Sequence, residues 1–138
     1  MHAPPILTYI DACLLMAAFK EKDARNTHAL SIIRDKRRTF LASDALWMEV
    51  MPSPLRNKRT EEVAFYERFF ASAQHIPMSD AIMRRARSLS ERYFIDAMDA
   101  IHIAYAIDAG AGEFISAERL TKPMFRVLEL PMTSIALK

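Results

Sequence analysis

Ile6-Leu7-Thr8-Tyr9-Ile10-Asp11-Ala12-Cys13-Leu14-Leu15 is the stretch that decides the fold. Its first five residues form a short β-prone run that stops at Asp11. Residues 12–22 then carry helix formers with neither glycine nor proline, which predicts strand, turn and helix with Asp11 at the junction. The alternation continues down the chain. Asp23 is placed to cap a helix to about Arg34, with Leu30, Ile33 and Ala29 or His28 on its apolar side. Residues 39–42 predict a second strand, and Ser43 the cap of a short helix ending before Pro52, with Pro52-Ser53-Pro54 as a break. A helix over 60–73 presents Val63, Tyr66, Phe70 and Ala73 inward, which leaves Phe65 and Phe69 for a groove or dimer contact. Residues 74–78 read as a third strand. Ser79 or Asp80 caps the most amphipathic helix, with Ile82, Ala86, Leu89 and Tyr93 on one face. Asp96 caps the next, which runs to Gly110. Residues 113–116 give a fourth strand, and either 127–130 or 133–137 a fifth.

Strands alternating with helices of about a dozen residues imply right-handed β-α-β units, hence a parallel sheet of four to five strands covered on both faces. The chain has 138 residues, enough for one domain with a real core, so residues 1–138 are read as a single domain. It is 51% hydrophobic and 26% charged, which excludes a disordered tail or a collagen-like rod. Two glycines, Gly110 and Gly112, cannot write a glycine-rich nucleotide loop. One cysteine, Cys13, cannot form an internal disulfide. The N-terminal Met1-His2-Ala3-Pro4-Pro5 lacks the basic start of a signal peptide, and no apolar run is long enough to span a bilayer. A cytoplasmic protein with no membrane partner is the expectation. Net charge is only +2, from 19 basic and 17 acidic residues, so the placement of charge matters more than its sum.

In an open parallel sheet, ligands bind beyond the carboxyl ends of the strands. Acids recur there. Asp11 ends the first strand, Glu49 lies in the helix after the second, Glu118 follows the fourth, and Asp99 lies near the start of the preceding helix. Asp11, Asp96 and Asp99 are also well placed to cap helices or meet helix dipoles. Glu49 is different, because Leu46, Trp47 and Val50 surround it. Four carboxylates at one sheet edge repel one another, and a divalent cation is the usual reason to tolerate them. Oxygen donors suit Mg²⁺ or Mn²⁺. Zinc is disfavoured, since His2, His28, His75, His102 and Cys13 show no paired ligand spacing. Cys13 reads as a small buried hydrophobe; His102, three residues after Asp99, is within reach of the site but reads as a core or surface histidine.

These residues resemble the PIN-domain ribonucleases, in particular the VapC-type toxins of prokaryotic toxin–antitoxin pairs. Ile10-Asp11-Ala12-Cys13-Leu14-Leu15 is similar to the family's opening motif, and Ser43-Asp44-Ala45-Leu46-Trp47-Met48-Glu49 to its second. Asp99-Ala100-Ile101-His102-Ile103-Ala104-Tyr105-Ala106 is similar to the D-A-x-H-x-A-x-A helix. Phe114-Ile115-Ser116-Ala117-Glu118 parallels the final segment, in which Ser or Thr precedes the last acid by two positions. Two residues depart from the pattern: Cys13 stands where asparagine is common, and Glu118 where aspartate is usual. The resemblance implies a three-layer α/β/α PIN-like domain and a metal-dependent endoribonuclease. It further implies dimerisation to a homodimer and neutralisation by a cognate antitoxin. Asp11, Glu49 and Asp99 would hold Mg²⁺ or Mn²⁺, Glu118 would help, and Ser116 would position a carboxylate or water.

An RNA substrate needs cations for its phosphates, and three local groups offer them: Arg34-Lys36-Arg37-Arg38, Arg56-Lys58-Arg59 and Arg84-Arg85-Arg87. The second leaves the helix bearing Glu49, which favours it for RNA or for an acidic antitoxin segment. An alternative from another class is a catalytically weak PIN-like domain that binds RNA or protein, motivated by Cys13 and Glu118. A phospho-acceptor signalling domain would need an aspartate about fifty residues in, where Met51-Pro52-Ser53-Pro54 stands.

Overall fold

The computed structural model describes residues 4–20 and 22–136; His2 and Leu137, at the two ends of the chain, lie outside them. Five strands form one wholly parallel sheet in the order β3-β2-β1-β4-β5: β1 (Ile6–Ile10), β2 (Arg38–Ser43), β3 (Gln74–Ile76), β4 (Glu113–Ser116) and β5 (Met132–Ser134). The fifth strand overlaps the second of the two stretches considered only at Thr133 and Ser134, and it begins one residue earlier, at Met132. Residues 127–130 are instead loop.

Alternate strand residues feed two cores, as period-two geometry requires. Ile10, Phe40, Ala42 and Ile115 meet α1 (Ala12–Lys20), α2 (Ala24–Ile33) and α5 (Thr60–Ser72) on one face. Tyr9, Leu41 and Phe114 meet α6 (Asp80–Tyr93) and α7 (Ala97–Asp108) on the other. The sheet is thus the middle layer of an α/β/α sandwich. Between β2 and α5 lie α3 (Asp44–Val50) and α4 (Pro52–Arg56). Among the described residues no helix is long and apolar enough to cross a membrane.

Several local expectations change. Pro52-Ser53-Pro54 is no break but the start of α4, with proline in its first turn, where the missing N–H costs nothing. Helix α2 buries Ala29 and Ile32, while His28 is exposed. Helix α5 is rotated from the expected phase: Phe69 is buried on Phe40, and Phe70 is only half-buried, edge-on to Trp47. Gly110 does end α7, with φ +72°. Helix α6 ends on Phe94, held left-handed at φ 55° without a glycine.

The rotation of α5 also buries Glu62, which is 2% exposed. Burial alone would raise its carboxyl. Hydrogen bonds from Arg59 Nε (2.8 Å) and Tyr66 Oη (2.7 Å), with Lys20 at 3.6 Å, outweigh this and hold it below the ordinary glutamate range. A pKa lowered by folding gives stability that is present above the unfolded value and lost as pH falls through the folded one. Glu62→Leu strips the buried Tyr66 hydroxyl of its acceptor and is expected to cost about 1–3 kcal/mol at pH 7. In urea melts the gap between wild type and variant should narrow below the ordinary glutamate range.

Candidate functional site

Strand order places the topological switch at β1. The chain steps outward from β1 through β2 to β3, then returns to β4 on the other side. The crevice beyond the carboxyl ends of β1 and β4 is where such a sheet takes a ligand. Asp11 and Ser116 stand there. Asp11 is 5% exposed, and its two oxygens have different tasks. Oδ1 accepts the Leu14 N–H at 3.0 Å, as a helix cap does, and Oδ2 accepts the Ser116 hydroxyl at 2.6 Å. Ser116 Oγ in turn accepts the Glu118 N–H at 2.9 Å, tying the turn that carries Glu118 to Asp11. Burial pushes the Asp11 carboxyl up to about 6 in spite of those two hydrogen bonds.

Glu49 reaches the same place from α3. Ser43 caps that helix, its Oγ accepting the Leu46 N–H at 3.1 Å. Asp99 arrives from the first turn of α7, and His102, one turn on, shares its face. Asp11, Glu49, Asp99 and Glu118 together line a cavity of about 390 Å³, with Asp96, Cys13, His102 and Lys122. All four carboxylates singled out in the sequence therefore come to one cleft.

Four of the lining residues differ from expectation or carry none. Asp96 sits at the N-cap of α7 but makes no capping bond there, and it lines the cleft instead. Cys13 is half-buried and lines the cleft rather than the core; burial pushes its thiol up to about 12. His102, read as a core or a surface histidine, is buried, and its Nε2 bonds Glu49 Oε1 at the cleft. Lys122 is the residue that sequence reasoning misses. Its Nζ lies 3.4 Å from Asp99 Oδ2 and 3.6 Å from Glu118 Oε1, and the i,i+4 spacing to Glu118 is the available signal. Burial opposes the Lys122 charge, but Asp99 and Glu118 more than offset it and raise its pKa. Burial raises the Asp99 carboxyl, against the pull of Lys122.

Does this donor set fit a divalent cation? Among the described residues no three His, Cys, Asp or Glu side chains converge on a single ion position. Glu49 is turned to His102, and Asp99 and Glu118 are bridged by an ammonium. The bridging ammonium is itself informative: a cation already occupies the space between two of the carboxylates. Oxygen donors around a cationic position suit a hard ion such as Mg²⁺ or Mn²⁺.

A family model for the PIN domain matches residues 8–120. This chain belongs to the PIN domain family. The matched span runs from β1 past Glu118 and so holds every strand-end acid described above. Solved structures with the same fold include VapBC2 from Rickettsia felis bound to a DNA fragment from its promoter. That likeness has TM-score 0.67 and 14% identity, over 92% of this chain and 97% of the other. A toxin–antitoxin complex from Klebsiella pneumoniae has TM-score 0.66 and 20% identity, over 89% and 94%. VapC20 from Mycobacterium tuberculosis, a toxin that cleaves the sarcin–ricin loop, has TM-score 0.63 and 16% identity, over 78% and 86%. At these identities the likeness establishes the PIN fold. No curated protein sequence matches the chain.

Outside the cleft the basic groups are unequal. Arg37 and Arg38 are drawn to Asp35, and Arg38 also to Glu113 at 2.7 Å. Arg59 is committed to Glu62. Among the described residues Arg56, Lys58, Arg84, Arg85 and Arg87 form no ion pair.

Proposed function

We propose that the protein is a Mg²⁺- or Mn²⁺-dependent endoribonuclease, the toxin of a two-protein toxin–antitoxin module, acting as one PIN domain over residues 1–138. The observation that carries this reading is the gathering of Asp11, Glu49, Asp99 and Glu118 in one cleft at the switch point of a PIN fold. Asp11, Glu49 and Asp99 would hold the cation, with Glu118 assisting. When bound, that ion supplies an activated water and offsets charge on the phosphoryl oxygens.

The chain's own residues supply the rest. Ser116 and the Leu14 N–H fix both oxygens of Asp11, so its carboxylate is presented without a rotamer search. Lys122 holds a positive charge beside Asp99 and Glu118, where an RNA phosphate entering the cleft would meet it. Arg56, the last residue of α4, and Lys58 just beyond it give sequence-independent grip on the RNA backbone. Exposed Trp47, Met48 and Leu55 give α3 and α4 an apolar outer face suited to a homodimer. An antitoxin partner accords with the complexes among the structural neighbours, and both proteins would act in the cytoplasm.

The test is cleavage of a mixed-sequence RNA by the purified chain, freed of antitoxin. Cleavage should require Mg²⁺ or Mn²⁺, stop with EDTA, and fall about 100-fold or more in Asp99→Asn, the loss of a few kcal/mol of transition-state stabilisation. Cleavage that persists in EDTA would falsify the metal reading. RNA binding without cleavage in either metal would favour the binding-module alternative.

A further inference from the structure

Behind the cleft, on the α6–α7 side of the sheet, lies a run of buried polar groups that the proposed chemistry leaves unused. Tyr9 is wholly buried in β1, its ring stacked on Phe114 with centroids 5.4 Å apart. Its hydroxyl lies 2.8 Å from Ser43 Oγ and 2.6 Å from His102 Nδ1. His102, 2% exposed, bonds Glu49 through its other nitrogen. The sequence Ser43, Tyr9, His102, Glu49 thus links the end of β2, the carboxyl-terminal part of β1, α7 and α3, and it terminates on one of the four cleft carboxylates.

Counting hydrogens gives the chain a direction. Ser43 Oγ already accepts the Leu46 N–H, and Ser43 is fully buried, so its own hydrogen needs an acceptor. The Tyr9 oxygen is the acceptor beside it. Tyr9 must then spend its hydrogen on His102 Nδ1, which leaves Nε2 as the protonated nitrogen, aimed at Glu49. The reverse direction strands the Ser43 hydrogen in the core, at a cost of about 1–3 kcal/mol.

We infer that Tyr9 and His102 are positioning residues for Glu49: the Ser43–Tyr9–His102 chain fixes the imidazole with its hydrogen on Nε2 and thereby sets the orientation of the Glu49 carboxylate in the cleft. The consequence for a metal ion rests on the reading of Glu49 as a ligand; the hydrogen-bond direction does not. Outer partners of a metal ligand hold its orientation, and losing one weakens the site although it never touches the ion. Each side-chain change has a different consequence. Tyr9→Phe keeps the ring on Phe114 and removes only the hydroxyl. His102→Gln keeps an N–H donor within reach of Glu49, and His102→Leu fills similar space with none.

The experiment combines ¹⁵N spectra of the imidazole with Mn²⁺ titration of the full chain, metal alone and no RNA, beside a thermal melt of each variant. Wild type should show a single neutral His102 tautomer with hydrogen on Nε2 at pH 8, and Tyr9→Phe a mixture. Relative to wild type, His102→Leu should bind Mn²⁺ about 10–100-fold more weakly, Tyr9→Phe about 3–10-fold, and His102→Gln within about threefold. A wild-type ring with hydrogen on Nδ1 overturns the inference, and so does equal Mn²⁺ affinity in His102→Gln and His102→Leu. If His102→Leu does not fold, the wild-type spectrum and Tyr9→Phe decide the matter alone. A wild-type chain that takes no Mn²⁺ overturns the metal reading instead, and the tautomer in wild type and Tyr9→Phe then decides the hydrogen-bond direction by itself.

Discussion

Asp11→Asn is expected to reduce RNA cleavage by about 10²–10³-fold, equivalent to several kcal/mol of lost metal-borne stabilisation, and yet to make the metal-free protein more stable at pH 8. The two effects share one cause. Asp11 is buried among other acids, so ionisation is costly and its carboxyl is pushed up to about 6. A pKa raised by folding gives stability that is fully present below the unfolded value and lost as pH rises through the folded one. Above pH 6 the native protein therefore carries a penalty on the order of 3 kcal/mol at most, from a shift of about two units. Asparagine mimics the protonated carboxyl: its oxygen can still accept the Leu14 N–H, while its amide donates toward Ser116, reversing that bond and taking away the acceptor of the Ser116 hydroxyl. In EDTA the variant should match wild type near pH 4 and exceed it by roughly 1–3 kcal/mol at pH 8, with the gap opening between those values. Urea melts across that range are the measurement. A variant less stable than wild type at pH 8 would mean that the ionised Asp11 is held for the hydroxyl bond it accepts from Ser116 and not for a charge that awaits a cation.

That behaviour explains why the acids can be found in the sequence while their partners cannot. Asp11 is legible because a β-prone run and a run of helix formers meet there, and a parallel sheet places such junctions at one edge. Glu49 is legible through its apolar neighbours, and Asp99 through its place at the head of α7. Ser116, by contrast, bonds a residue 105 positions away, a pairing created only by the register of β1 with β4. Glu62 is the sharper case. Its burial depends on Arg59, Lys20 and Tyr66 meeting around it, and no local pattern marks a carboxylate as internal. The unexpected phase of α5 follows from the same fact: a solvent-facing Glu62 would turn Phe69 outward. The start of α4 at Pro52 has another origin, since proline ends a helix in its interior but starts one equally well. Lys122 lies in the segment after β4, whose path sequence periodicity does not constrain.

Lys122→Met is the substitution expected to move metal affinity most in the opposite direction from the ligand variants. In the structure the ammonium stands between Asp99 and Glu118, the space a divalent ion would claim. A single positive charge a few ångströms from a divalent ion in a wet cleft is worth about 1–3 kcal/mol of repulsion, or roughly tenfold to a hundredfold in affinity. Methionine keeps most of the stem's packing and deletes the charge, so Mn²⁺ should bind the variant tighter by that factor. The difference should shrink in high salt, because the cleft is open to solvent and its field is screened. Catalysis should not follow affinity. With the ion's site saturated, the variant lacks the one lysine that lines the cleft among the described residues and should cleave RNA more slowly, so tighter metal and slower turnover appear together. Titration with Mn²⁺ and single-turnover cleavage at saturating metal separate the two. Unchanged Mn²⁺ affinity would show that Lys122 does not compete for the ion, and unchanged turnover would remove it from contact with the phosphate.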